Sequence, residues 1–250
     1  MGHNINITNN CSYMGLDSWI LANIIQLATY DFCRKFLNKA NDPCGRLFDQ
    51  MTQAARSGQA YIAEGSARRQ TSSETEMKLL DVARASLNEL AGDYMFILMS
   101  RGEAAWTKSD PNFVNINSFK LLPHHYGENY LHDVMEYIIV QKSRLSPWLK
   151  TDDINLAANS LLVLCHRAIR MLEKQIASSF NRFKQQGGFT ENLTKARIEL
   201  KQSEAKDNKA PLCPTCGATM VERVIKRGSK QGTIFWGCSN YPKCQGTREI

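Results

Sequence analysis

Residues 73–100 read SETEMKLLDVARASLNELAGDYMFILMS. Leu80, Ala83, Leu87, Leu90, Tyr94 and Leu98 recur at intervals of three and four, which sets them on one side of an α-helix. Ser73 followed by Glu76 has the pattern of a capping box, and Gly102 supplies a stop. A helix over about 73–101 with so narrow an apolar stripe needs long neighbours to cover it. The flanking sequence supplies them. About 43–68 carries Leu47, Met51, Ala54, Gly58, Ile62 and Gly65, behind an Asp42-Pro43 start signal. About 18–40 carries Leu21, Ile25, Ala28, Phe32 and Phe36. About 153–185 carries Leu161, Cys165, Ala168, Leu172, Ile176 and Phe183, with Asp152-Asp153 before it and Gly187-Gly188 after it. The links at 40–43 and 69–72 are short, so neighbours run antiparallel. The expectation is a mostly α chain whose residues 18–186 form an up-down four-helix bundle. Ala54, Ala55, Gly58, Ala63 and Gly65 give the second helix a small-residue face suited to close approach.

Residues 102–150 break this regularity. They hold loop signals at Asp110-Pro111 and Leu122-Pro123-His124-His125, a helical piece near 128–142, and Pro147-Trp148. They read as an insertion in the third connection. Residues 1–17 read as an N-terminal extension, 187–210 as a polar, partly helical linker, and 211–250 as a separate small module.

Composition narrows the function. With 43% hydrophobic and 22% charged residues, the 250-residue chain is of ordinary globular type. The net charge of +7 favours an acidic partner. It is concentrated in residues 187–250, where 11 Lys and Arg face 6 Asp and Glu. The apolar run Trp19–Ala28 is interrupted by Asn23 and Gln26 and has no Lys or Arg before it. Position 6 is Asn where myristoylation wants Ser or Thr. A cytoplasmic protein with no membrane attachment is expected. Catalytic signatures are missing too: there is no Glu-x-x-His pair, phosphate loop or serine elbow, so no catalytic residue is assigned and no enzyme activity is expected.

Of the eight cysteines, Cys11, Cys33, Cys44 and Cys165 are scattered and read as free thiols. Cys213, Cys216, Cys238 and Cys244 fall within the last 38 residues, as two pairs separated by a stretch long enough for a hairpin. Four thiolates at this spacing are a ligand set for one structural Zn²⁺, leaving no coordination position open for catalysis. So small a module has little core, and the metal must supply much of its folding energy. Met220–Lys226 and Thr233–Trp236 read as the hairpin strands, giving a small β zinc ribbon. Arg223, Lys226, Arg227, Lys230, Lys243 and Arg248 stand among Phe235, Trp236 and Tyr241, a mixture suited to phosphate contact and base stacking. Phe235 and Tyr241 also have a plainer role as the ribbon's core. Trp236, facing away from its strand neighbour, is the expected exposed platform, so the candidate nucleic-acid residues are Arg223, Lys226, Arg227, Lys230, Trp236, Tyr241, Lys243 and Arg248.

The tail resembles a known family. Cys213-Pro214-Thr215-Cys216-Gly217, then Phe235-Trp236-Gly237-Cys238-Ser239-Asn240-Tyr241-Pro242-Lys243-Cys244, then Gly246-Thr247 is similar to the C-terminal four-cysteine zinc finger of type IA DNA topoisomerases. That resemblance implies DNA contact, chiefly with single strands. The large cleavage domain of those enzymes, with its tyrosine nucleophile, has no room in this chain. A second resemblance spans roughly 18–186. Ala60-Tyr61-Ile62-Ala63-Glu64-Gly65-Ser66-Ala67-Arg68-Arg69, with Ser73, Glu76 and Leu87-Asn88-Glu89-Leu90, is similar to the 23S ribosomal RNA intervening-sequence proteins and the accessory proteins of diversity-generating retroelements. This implies a bacterial, homo-oligomeric helical domain, with a reverse transcriptase or polymerase as candidate partner. The leading expectation is a non-catalytic DNA-binding protein, cytoplasmic or nucleoid-associated, with RNA as the other candidate ligand. The alternative is an adaptor whose ribbon docks on a nucleic-acid enzyme such as a reverse transcriptase or topoisomerase.

Overall fold

The computed structural model describes residues 12–69, 71–207 and 210–250. Most of the expected N-terminal extension, with Cys11, lies outside them. The chain divides into two compact units at Gly187–Gly188. The first is helical: α1 (Asp17–Phe36), α2 (Arg46–Arg68), α3 (Ser73–Ser100), α4 (Pro111–Ser118), α5 (Tyr130–Arg144), α6 (Ser146–Leu149) and α7 (Ile154–Gln186), preceded by a 3-10 turn at Ser12–Gly15. The second holds α8 (Phe189–Asp207) and a sheet of β1 (Met220–Val224), β2 (Ile234–Cys238) and β3 (Thr247–Glu249).

The long helices contact one another in a closed ring: α1 meets α2, α2 meets α3, α3 meets α7, and α7 returns to α1. The stripe quoted first, Leu80 to Leu98 on α3, is buried at every position. Tyr94 crosses the core. Its hydroxyl donates to Thr29 Oγ1 at 2.9 Å, and its ring meets Phe32 edge-on with centroids 5.3 Å apart. The small face of α2 is where α3 comes closest. A Cβ on Gly58 would lie 2.9 Å from Leu87 Cδ2, and one on Gly65 would lie 3.2 Å from the Glu76 carbonyl oxygen and Leu79 Cβ. Larger residues there would force the pair apart.

Two helices are buried well beyond one stripe. Ser18–Ala22 on α1 and Ala157–Cys165 on α7 have no exposed residue. The segment 102–150 accounts for this: α5 packs on α1, while α4 and α6 pack on α7, covering faces that a ring of four helices leaves open. Asp110 caps α4, accepting from the Asn112 and Phe113 amides, with Pro111 in the first turn. A signal read as a loop thus starts a helix. On α7, Arg167 donates to the carbonyl oxygens of Ile116 and Phe119 at the end of α4.

Two start signals need correction. α2 begins at Arg46, not at Pro43, although the Asp42 carboxylate still accepts from the amides of Leu47 and Phe48 at 3.2 and 2.9 Å. The N-cap of α3 is Ser72, which accepts from Thr75 N. Glu76 is not the reciprocal member of a capping box. It is 1% exposed and accepts from Ser179 Oγ at 3.0 Å and Arg182 Nη2 at 2.7 Å, joining α3 to α7 inside the protein. Within the segment read as a partly helical linker, Phe189–Asp207 form one helix. Among the described residues, no helix is long and apolar enough to cross a membrane.

Candidate metal centre and ribbon surface

Each cysteine pair sits on a turn closed by its own backbone. The Gly217 amide donates to Cys213 O at 2.9 Å, and Gly217 takes φ +69°, a left-handed conformation in which glycine has no Cβ to obstruct. Cys213 N returns to Ala218 O at 2.7 Å. In the second turn Cys244 N donates to Asn240 O at 3.2 Å, and Cys238 N to Gly246 O at 2.9 Å. The bond from Ser239 N to Thr219 O, 3.3 Å, ties the two turns together.

These turns bring the Sγ atoms of Cys213, Cys216, Cys238 and Cys244 within 4.8 Å of one another. The Cys213–Cys244 separation is 3.8 Å and the Cys216–Cys238 separation 3.4 Å. Four thiolates at the usual zinc–sulfur distance of about 2.3 Å stand about 3.8 Å apart in a tetrahedron, so the set fits one zinc ion. Backbone amides tune the sulfurs. Hydrogen bonds from the Thr215 amide first, and then Cys216, bring the Cys213 thiol down to about 6, toward the thiolate that a metal needs. Burial pushes Cys238 the other way, up to about 12, and the Asn240 amide, 3.4 Å from its sulfur, only partly offsets this. Gly246 completes the cradle: a Cβ at this position would collide with Cys213 Sγ and lie 3.1 Å from Thr215 Oγ1. Bound zinc cross-links two turns that otherwise share almost no core, since Cys213, Met220 and Cys238 are the whole buried cluster.

The strand register sorts the remaining side chains onto two faces. β1 pairs with β2 antiparallel, Met220 opposite Cys238 and Glu222 opposite Trp236, and β3 adds Arg248 beside Trp236. Met220, Trp236 and Cys238 therefore share the metal-side face. Trp236 is half-buried against that cluster and is not the free platform expected. Without a larger core, the indole is the apolar lid the cluster requires.

Tyr241 has changed places with it. At 58% exposure it lies outside the core, with the Arg223 guanidinium 5.1 Å from its ring centroid. Arg223 and Phe235 are directly paired across β1 and β2 on the face away from Trp236. Gly237, the next residue of β2 on this face, makes room for the arginine: a Cβ there would come within 2.7 Å of Arg223 Cδ. A concavity of about 340 Å³ runs from Arg223, Phe235 and Tyr241 to Gly246 and the ligand cysteines Cys238 and Cys244. The sequence shows no concavity here; the glycine two residues before Cys238's neighbour Ser239, alternating with aromatic positions on a strand, was the available signal.

Of the other candidates, Lys226, Arg227 and Lys230 are exposed around the β1–β2 turn, and Lys230 stands 3.8 Å from Glu249. Lys243 is exposed between Pro242 and Cys244, and Arg248 is exposed on β3. Arg223 and Tyr241 are thus brought together, while the remaining cations surround the ribbon.

Comparison with known proteins agrees with this geometry. Residues 211–250 match the family model described as the topoisomerase DNA binding C4 zinc finger. This part of the chain has the make-up of a zinc ribbon of topoisomerase type, with four cysteines placed for one metal. No solved structure matches the chain.

Proposed function

We propose that the protein binds single-stranded nucleic acid, DNA before RNA, through the ribbon face that carries Arg223, Phe235 and Tyr241. The contact is non-catalytic, and the helical unit holds more than one copy of the chain together. The observation that carries the reading is the Arg223–Tyr241 stack beside the concavity of a topoisomerase-type finger. A base stacks on the exposed phenol ring, while the guanidinium already held against Tyr241 meets the phosphate without first being ordered. Lys243, exposed two residues after Tyr241, adds positive charge near it, while Arg248 stands on the other face beside Trp236. Several ribbons on one assembly raise the effective concentration of each for a shared strand.

Fluorescence anisotropy with single-stranded, duplex and RNA oligonucleotides on the full zinc-loaded chain tests this. Tyr241→Ala is expected to cost about 1–3 kcal/mol of single-strand affinity with zinc content unchanged. Gly237→Ala, which displaces Arg223 from its place, is expected to weaken binding in the same direction. Unchanged affinity in both variants, or equal affinity for duplex and single strand, would overturn the reading.

A further inference from the structure

α3 carries a second apolar stripe on the side away from the core. Val82, Ala85, Glu89, Gly92, Phe96 and Met99 follow at intervals of three and four, the seam of a coiled coil. All six are exposed, Val82 at 41%, Phe96 at 57% and Met99 at 63%. They lie about half a turn around the helix from Leu87, Leu90 and Tyr94. Gly92 is the telling residue. Gly58 and Gly65 face a close neighbour, but a Cβ on Gly92 would meet nothing within 4 Å. A glycine inside a long helix weakens it relative to alanine, and none of the described residues packs against it to compensate.

We propose that this seam is the contact surface for a second copy of the chain, α3 against α3 in antiparallel register about a two-fold axis between Leu90 and Ala91. The sequence of the stripe is self-complementary in that register. Met99 falls opposite Val82, Phe96 opposite Ala85, and Glu89 opposite Gly92, so each large side chain faces a smaller one. On the flank Asp81, which also pairs with Arg84 on its own helix, falls opposite Ser100, next to Arg101. A parallel pairing would instead set Phe96 on Phe96, Glu89 on Glu89 and Lys78 on Lys78. Glu89, the one charged residue of the seam, has the open space over the partner's glycine, and a polar seam residue fixes register. A two-fold contact uses the same patch on both chains, as this stripe does. The surface gives the multivalency of the proposed function a location and rests on that part of the reading alone.

Light scattering on the full zinc-loaded chain at tens of micromolar is expected to give twice the chain mass. Phe96→Glu, an exposed site, is expected to weaken the dimer about tenfold or more while helical circular dichroism and zinc content stay unchanged. Phe180→Glu, exposed on α7, should leave the dimer intact. Register is read by oxidising a mixture of Val82→Cys and Met99→Cys chains, with Cys11 and Cys44 replaced by Ser. A mixed disulfide is expected, and neither chain should cross-link to itself, because Val82 and its own copy stand about 26 Å apart along the antiparallel helices. A monomer, an assembly that Phe96→Glu leaves intact, or self-linking of the Val82→Cys chain would overturn the proposal. Oligonucleotide capture by a monomeric chain would remove this surface and leave the ribbon reading standing.

Discussion

Gly246→Ala places a single methyl group against the metal set. Gly246 has ordinary backbone geometry, so alanine adds no dihedral strain, and the effect is steric. The added Cβ would overlap Cys213 Sγ and sit 3.1 Å from Thr215 Oγ1, where ordinary contact is about 3.4–4 Å. Relieving the overlap moves the sulfur by about 1 Å, several times the roughly 0.2 Å that a zinc–sulfur bond tolerates. Alternatively the 246 backbone moves, breaking the bond from Cys238 N to Gly246 O. Either way one of the four ligands is compromised. The expected loss is on the order of 100-fold in zinc affinity, about 3 kcal/mol. The assay is competition with a chromogenic chelator on the full chain. Gly217→Ala is the comparison: nothing crowds that Cβ, and the cost is the left-handed φ alone, about 1 kcal/mol. Zinc affinity of Gly246→Ala within threefold of the native chain, or a larger loss in Gly217→Ala, would refute the packing described.

Four further outcomes are expected. Trp236→Ala uncovers the cluster of Cys213, Met220 and Cys238 and should lower zinc affinity, whereas Tyr241→Ala should not; titrated chelator release distinguishes them. The log–log dependence of single-strand binding on salt should have a slope of about −2 to −3, the signature of three or four phosphates neutralised, and a flat dependence would remove the electrostatic contact. Glu76→Ala leaves Arg182 and Ser179 without their acceptor inside the protein. Because the Arg182 side chain is a quarter exposed, the loss should fall near 2–3 kcal/mol, below that of a fully buried pair, and denaturant unfolding showing under 1 kcal/mol would contradict it. Asp93 is raised from 3.8 to about 6 by burial and then by Glu89, and its Oδ2 has no hydrogen-bond partner among the described residues. The folded state therefore holds a proton that the unfolded state has released. Stability should fall as pH rises from about 4 to about 6, and Asp93→Asn should flatten that fall in thermal unfolding.

The stripes of α1, α2, α3 and α7 were legible because helical periodicity is local and most of each stripe is packed in the ring, although Phe183 near the end of α7 is exposed. Glu76 was not. A glutamate three residues after a serine at a helix start suggests a cap, but its actual partners, Ser179 and Arg182, lie more than 100 residues away. The segment 102–150 failed for a related reason: its helices are short and take their places from α1 and α7. At the ribbon, the four thiols were legible from spacing, because ligand geometry leaves few arrangements of two turns. Which aromatic covers the metal and which stands free was not. Alternation along β2 separates Phe235 from Trp236, but it does not say which face lies over the sulfurs, and Tyr241 is on a turn where alternation does not apply.

Arg167 meets main-chain oxygens where Arg182, farther along α7, meets a carboxylate. Its charge is countered by the negative end of α4, and that end has no proton to gain. The hold of the inserted segment on α7 therefore depends on no carboxylate, whereas the joint between α3 and α7 runs through one. Substituting one glutamate can undo the latch between the long helices, but the acceptors that fasten the inserted segment are backbone oxygens that no side-chain change removes.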